Sequence, residues 1–382
     1  MGCRLLFLFS AMSVLFLLQS CHVNEKHSNE QENKISMTHN TSDRTSDALK
    51  WADSVMTCMT LEEMAGQLIM PASLTRTDEA TIRRLESYIS DYKVGGIAFH
   101  KGDTLSMRRI SGRLQELSNV PLFIAIDAET GLGMRLEGAT SYPANYRLAG
   151  MSEDWMYEYG NSVGEECSKF GINMVFGPVL DVAYGPDSYV YRRSYGSDPV
   201  RVAELGIAYA RGVVDAGIVP VGKHFPGHGH TSTDSHSSLP VITLSADEFR
   251  RVDLAPFVRY VNSGFPALMT AHVAVPSFGG DTVPADLSSF FITDLLRKEF
   301  GFDGLIVSDA LNMSAFKDHV PGGESPGVSA ILAGVDILLA PLDTRQSVDE
   351  IIDAVRTGVL PVATLRQHCH RVLFRKYLLL IE

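Results

Sequence analysis

The segment Lys223-His224-Phe225-Pro226-Gly227-His228-Gly229-His230-Thr231-Ser232-Thr233-Asp234-Ser235-His236 gathers one lysine, four histidines and one aspartate into fourteen residues. Neither a core strand nor an amphipathic helix needs that composition. It reads as a loop bending over a polar ligand, with a histidine available for proton transfer. Downstream, Leu305-Ile306-Val307-Ser308-Asp309 is an apolar strand that ends in a carboxylate. A rigidly aimed carboxylate and a titratable histidine suit covalent hydrolysis of a polar substrate. Retaining glycoside hydrolysis has these needs: a nucleophile on one side of the anomeric carbon and an acid/base near the leaving oxygen. Asp309 suits the first role, and His236 the second. Asp234, two residues from His236, could orient the ring and stabilise its charged form, as a carboxylate does in a triad. Standing alone, Asp234-Ser235-His236 reads equally well as an Asx turn beside a solvated histidine.

The same histidines allow a metal reading. His224, His228, His230, Asp234 and His236 resemble a set of zinc ligands with hydrolytic chemistry. The spacing is not a strict pattern such as HExxH, and Lys223 beside the cluster would oppose a dication. The residue types therefore favour a site without metal or cofactor.

Apolar runs of strand length position these residues. They fall at 66–70, 94–99, 121–126, 174–181, 219–223, 267–271, 304–308 and 336–340. Helical stretches lie between them, for example at 78–92, 103–118, 153–169, 199–215, 246–263 and 346–357. Continuously apolar runs are expected of parallel strands buried on both faces. Alternation of strands with helices predicts an α/β fold, a (β/α)8 TIM barrel forming a single catalytic domain over 48–382. The rival, an open doubly wound sheet, would place a complete GxGxxG after its first strand. Gly131-Leu132-Gly133 is incomplete and follows the third. In a barrel, functional groups gather at the C-terminal ends of the strands. The residues there are His100, Asp127, Asp181, Lys223 with His224, His272 and Asp309, so six strands are expected to point ionisable groups toward one rim.

The 382 residues are 45% hydrophobic and 20% charged, as in ordinary globular proteins, and carry a net charge of -12. Such acidity argues against nucleic-acid binding and would repel anionic lipid. Any membrane attachment should then be covalent, and the N-terminus supplies one. Arg4 precedes an apolar run from Leu5 to Leu18, which is read as a signal peptide over 1–20. Leu18-Gln19-Ser20-Cys21 resembles a bacterial lipobox, making Cys21 the lipidated first residue. Residues 21–47 are polar and are read as a tether. This predicts a lipid-anchored protein of the bacterial cell envelope, a monomer by default. Cys58, Cys167 and Cys369 form no disulfide framework and no CxxC pair; they are read as free thiols.

These motifs resemble glycoside hydrolase family 3, specifically its bacterial β-N-acetylhexosaminidase branch. The likeness lies in Lys223–Gly229 with Asp234–His236, and in Ser308-Asp309-Ala310-Leu311-Asn312-Met313. It extends to Gly171-Ile172-Asn173 with Pro178–Asp181, to Arg193–Pro199 and to Asp127-Ala128-Glu129. It runs from about Thr60 to the C-terminus. The resemblance implies Asp309 as nucleophile and His236 as acid/base paired with Asp234. It also implies Asp127, Arg135, Arg193, Lys223 and His224 around a terminal N-acetylglucosamine. The family's D-x-E-G-G-R-V-x-R becomes Asp127-Ala128-Glu129-Thr130-Gly131-Leu132-Gly133-Met134-Arg135, so Thr130 and Leu132 depart from the pattern. The implied substrate is a carbohydrate, a peptidoglycan fragment with terminal β-1,4-linked N-acetylglucosamine. Rival readings are a phosphorylase using phosphate in place of water, a β-glucosidase, a metal-dependent hydrolase and an inactive binding protein. The last would be expected to lose Asp309 or His236.

Overall fold

Phe123 and Ala125 face one way along their strand, Ile124 and Ile126 the other, and all four are buried. Side chains alternate along a strand, so a run with both faces covered must be apolar throughout. The computed structural model describes residues 43–233, 238–279, 282–312, 320 and 325–381. The chain divides into two units, Met1–Trp51 and Ala52–Glu382. Of the first, residues 43–51 are described and are helical, which includes the end of the stretch read as a tether. Cys21 and the signal-peptide reading lie outside the described residues.

The second unit is the expected barrel. Its strands are β1 (Ile69–Met70 and Ala72–Ser73, split at Pro71), β2 (Gly96–Phe99), β3 (Phe123–Asp127) and β4 (Met174–Val179). β5 (Val219–Phe225), β6 (Ala267–Thr270), β7 (Leu305–Val307) and β8 (Leu338–Leu339) follow. Every neighbouring pair is parallel. The Ala72–Ser73 half of β1 pairs with β2, and the Ile69–Met70 half pairs with β8. A parallel bridge, Val307 to Ile337, joins β7 to the start of β8. These contacts close the ring, with β1 as its seam.

The helices that follow β1 to β4 are α1 (Glu79–Ser90), α2 (Thr104–Leu117), α3 (Glu153–Lys169) and α4 (Pro199–Asp215). Those after β5 to β8 are α5 (Ala255–Asn262), α6 (Phe290–Glu299, a wide π-type helix), α7 (Pro326–Ala333) and α8 (Thr344–Thr357). The best-read helices have clear ends. Ser152 caps α3, with Glu153 and Asp154 in the first turn and Lys169 in the last. Asp198 caps α4, and Pro199 opens it. Both patterns satisfy free amides and complement the helix dipole.

Two expected elements need correction. Gly66 and Gln67 end a short helix, Leu61–Gln67, opened by a Thr60/Glu63 capping box, so β1 begins only at Ile69. The expected helix at 246–263 is two helices, Ala246–Arg251 and α5, because the chain turns at Val252–Leu254 to bury Asp253. Inside the barrel, Phe123, Ala125, Met174, Phe176, Val221 and Met269 belong to one buried cluster. Phe176, Met269 and Leu339 form its upper layer and also the apolar floor of a cavity.

Candidate active site

A cavity of about 640 Å³ opens at the C-terminal ends of the strands, large enough for a sugar. Asp127, at the end of β3, and Lys223, in β5, meet there with Lys223 Nζ 2.7 Å from Asp127 Oδ1. The other Lys223 contact is Glu129 Oε1 at 2.6 Å. Arg135 donates to Asp127 Oδ2 at 2.6 Å. Arg193 grips Glu129 with two bonds, at 2.9 and 2.6 Å. It also reaches His224 Nε2 at 3.0 Å, while His224 Nδ1 lies 2.7 Å from Asp181 Oδ2. A guanidinium only donates, so Nε2 accepts and the ring proton sits on Nδ1, directed at Asp181. The result is one file of alternating charges, Arg135, Asp127, Lys223, Glu129 and Arg193, continued to the Asp181 carboxylate through the neutral His224 ring.

Burial alone would push these carboxyls up. For Asp127 the charges of Lys223 and Arg135 outweigh it and hold the group below its ordinary value. Arg193 and Lys223 do the same to Glu129, more strongly. Lys223 is raised: burial opposes its charge, but Asp127 and Glu129 prevail. Such mutual compensation is what keeps buried charges tolerable.

Local structure sets this geometry. Gly131 has φ +80° and turns the chain after Glu129; a Cβ there would lie 2.7 Å from the Thr140 carbonyl. The turn brings Arg135 back to Asp127. Tyr142 N donates to Thr130 O and Gly133 N to Thr140 O, closing the loop. In the β4–α4 connection, Ser194 Oγ donates to Asp181 O, and the Asn145 amide donates to Arg193 O. The connection also braces the segment after β5. Ser188 Oγ donates to Gly229 O, and Tyr189 N donates to Thr231 O. Gly229 packs on the Val182 backbone so closely that a Cβ would lie 1.9 Å from its carbonyl oxygen. Cis peptide bonds occur at Gly177–Pro178, Lys223–His224 and Phe225–Pro226.

Asp309 follows β7, half-buried and facing the cavity. Its carboxylate accepts from Ala310 N at 2.8 Å. Burial would raise its pKa, but His272, His224 and that amide outweigh the cost, holding it below the ordinary carboxylate value. Asp309 is therefore ionised at neutral pH, as a nucleophile must be.

Of the strand-end residues, His100, Asp127, Lys223, His224 and Asp309 line the cavity, joined by Arg135 and Arg193. Asp181 and His272 do not, which corrects the expectation that all six strands present groups to the rim. Both are wholly buried and act from behind: Asp181 binds His224, while His272 reaches the Ala310 carbonyl. Asp234 and His236 lie outside the described residues. Glu129, named in a motif but given no role, proves central to the charge file. His228, weighed only as a metal ligand, lines the cavity and is 1% exposed, and among the described residues neither of its ring nitrogens has a hydrogen-bond partner. Burial lowers its pKa to about 4, so it is neutral there.

Two histidines of the segment, His224 and His230, have partners other than a metal. Both His224 nitrogens have partners, one of them a cation, and His230 Nδ1 lies 2.8 Å from Asp253 Oδ2. Among the described residues no group of three or more His, Cys, Asp or Glu is placed to hold a metal ion.

Residues 60–374 match the model of the glycosyl hydrolase family 3 N terminal domain. The chain belongs to this family. It is 30% identical over 362 residues to Beta-hexosaminidase A of Pseudoalteromonas piscicida, covering 82% of this chain and 60% of that protein. Among solved structures it is similar to a glycoside hydrolase family 3 beta-N-acetylglucosaminidase from Paenibacillus sp. str. FPU-7. There the identity is 33%, the TM-score 0.77, and the match covers 84% of this chain and 62% of that one. It is also similar to the Beta-glucoside phosphorylase BglX, at 26% identity and TM-score 0.82, over 87% of this chain and 61% of that one. The family 3 chain described here thus spans about three fifths of the length of these relatives.

Proposed function

We propose that this family 3 glycoside hydrolase is an exo-acting, retaining β-N-acetylglucosaminidase. The observation that carries the reading is an ionised Asp309 sharing one cavity with the fixed charge file from Arg135 to His224. Carboxylates in that file accept from sugar hydroxyls, and Arg and Lys donate to hydroxyl and acetamido oxygens. Groups already held in place discriminate well, because a sugar lacking a matching partner leaves them unpaired. In the first step an Asp309 oxygen bonds to the anomeric carbon as the glycosidic C–O bond breaks, and His236 gives its proton to the leaving oxygen. In the second, His236 takes a proton from water, the resulting hydroxide oxygen bonds to the anomeric carbon, and the Asp309 ester breaks. Asp234 orients His236. The hexosaminidase and N-acetylglucosaminidase relatives support the acetamido sugar. A peptidoglycan fragment as natural substrate is supported by the family branch together with the N-terminal lipobox.

Steady-state hydrolysis of aryl β-N-acetylglucosaminide and aryl β-glucoside tests this reading. The acetamido sugar is expected to be strongly preferred. Asp309→Asn is expected to lose about 10⁴-fold or more in kcat/KM, the scale seen when a covalent nucleophile is removed. Preference for the glucoside would overturn the substrate, and an active Asp309→Asn the nucleophile. The similarity to BglX favours a second reading, phosphorolysis. A rate that rises with added phosphate, with sugar 1-phosphate as product, would establish it.

The sequence around Cys21 supports a lipid anchor in the cell envelope. Among the described residues no helix is long and apolar enough to cross a membrane. Cys21→Ala is expected to move the full chain from the membrane to the soluble fraction; unchanged partitioning would discard the anchor.

A further inference from the structure

His272 follows β6, two residues past its end, with its ring completely buried, and Asp286, in the turn Ala285–Leu287, is equally buried. His272 Nδ1 lies 2.6 Å from Asp286 Oδ2, and Nε2 lies 3.0 Å from the Ala310 carbonyl oxygen. A carbonyl oxygen only accepts, so Nε2 carries a proton. The 2.6 Å approach of Asp286 to the other nitrogen calls for a second proton between them, and with Asp286 ionised that proton makes the ring an imidazolium. Ala310 is the residue whose amide grips the Asp309 carboxylate at 2.8 Å. Its two polar backbone groups are thus both engaged, one by the carboxylate and the other by His272.

We propose that His272 and Asp286 are positioning residues for the nucleophile: the buried pair pins the Ala310 peptide that holds Asp309 and sets a fixed positive charge beside its carboxylate. The proposal rests on the assignment of Asp309 as the nucleophile. Among the described residues, the charged groups facing His272 are Asp286, from the β6–α6 connection, and Asp309, after β7. Among the described residues, those facing Asp309 are His272 and, from β5, Lys223, with the neutral His224 ring beside them. Burial opposes charge on His272, but Asp286 and then Asp309 outweigh it and raise its pKa to about 9. The ring therefore keeps its charge throughout the neutral range. Once Asp309 is esterified by the sugar, that charge has lost one of its two anions. It then favours return of the carboxylate, which helps the second step.

The test uses the whole enzyme and an activated aryl β-N-acetylglucosaminide. His272→Gln keeps an N–H donor for Ala310 and removes the charge. Its acid limb of kcat/KM, which reports ionisation of the free nucleophile, is expected to move up by about one pH unit. On the same substrate kcat is expected to fall at least tenfold while KM stays within about threefold. Asp286→Asn should move the limb the same way, and Asp286→Glu should restore it. An acid limb unmoved in His272→Gln overturns the pair's role and leaves the nucleophile standing; a fully active Asp309→Asn overturns both. Histidine side-chain ¹⁵N–¹H spectra of the unsubstituted protein give an answer even where the variants fold poorly. Two ring N–H signals for His272 from pH 6 to 8 are expected, and a singly protonated ring overturns the proposal.

Discussion

Lys223 is 2% exposed, and its ammonium is held by two carboxylates that are themselves held by two arginines. No member of this file can be changed alone without stranding a neighbour. Glu129→Gln is nearly isosteric, yet it takes the anion from between Lys223 and Arg193. It is expected to cost about 3 kcal/mol of stability and to raise KM, read by thermal unfolding and steady-state kinetics. An unchanged melting temperature would show that the file is not coupled. The sequence made Asp127, Lys223, His224 and Asp309 legible because an ionisable residue ending an apolar run is conspicuous. Arg135 and Arg193 came from the family pattern and not from residue type. The work of Glu129 was hidden, since it depends on a lysine 94 positions away in the chain. His272 was misread for the same reason: a strand-end histidine looks alike whether it faces a cavity or a buried aspartate.

At the level of loops and helices, the segment after β5, proposed to lead to the acid/base, stands on the β4–α4 connection. Two hydrogen bonds and the close approach of Gly229 to Val182 fix its base. Gly229→Ala is therefore expected to lift the segment and reduce kcat/KM on the order of 10²-fold, the scale of a displacement of about 1 Å at a reacting group. Far-ultraviolet circular dichroism should stay unchanged, and wild-type kinetics in this variant would separate the segment's position from its function. Element boundaries were legible where caps exist, as at Ser152 and Asp198. They were illegible where one polar residue breaks an otherwise good helical pattern. Asp253 does so because it is buried against His230.

For the molecule as a whole, the charges away from the cavity matter for stability. Asp336, just ahead of β8, binds Arg297, Arg371 and His368 and accepts from Ile306 N, tying α6 and β7 to the last helix, Val362–Leu380. Lys376 on that last helix is wholly buried, bonded to Gln67 Oε1 at 2.7 Å and lying over the Phe123 ring. Burial depresses its pKa from 10.5 to about 7. Between those values the unfolded chain binds a proton there that the native protein does not. The penalty is thus full below pH 7, shrinks as pH rises and is gone above pH 10.5. Lys376→Met is expected to remove this upward slope of stability across pH 7–10, measured by urea unfolding; an unchanged slope would mean the lysine stays charged when folded. The barrel itself was legible in eight apolar runs, but its closure was not, because pairing partners are absent from any local pattern. That closure joins Ile69–Met70 to Leu338–Leu339, strands separated by almost the entire domain. A ribosome must deliver the last strand before the first can be satisfied, so contact order is high and the ring cannot zip up as it emerges. Until then the nascent sheet carries two open edges, which expose it to aggregation. Chaperone demand during synthesis should accordingly end only when residues near 340 leave the exit tunnel.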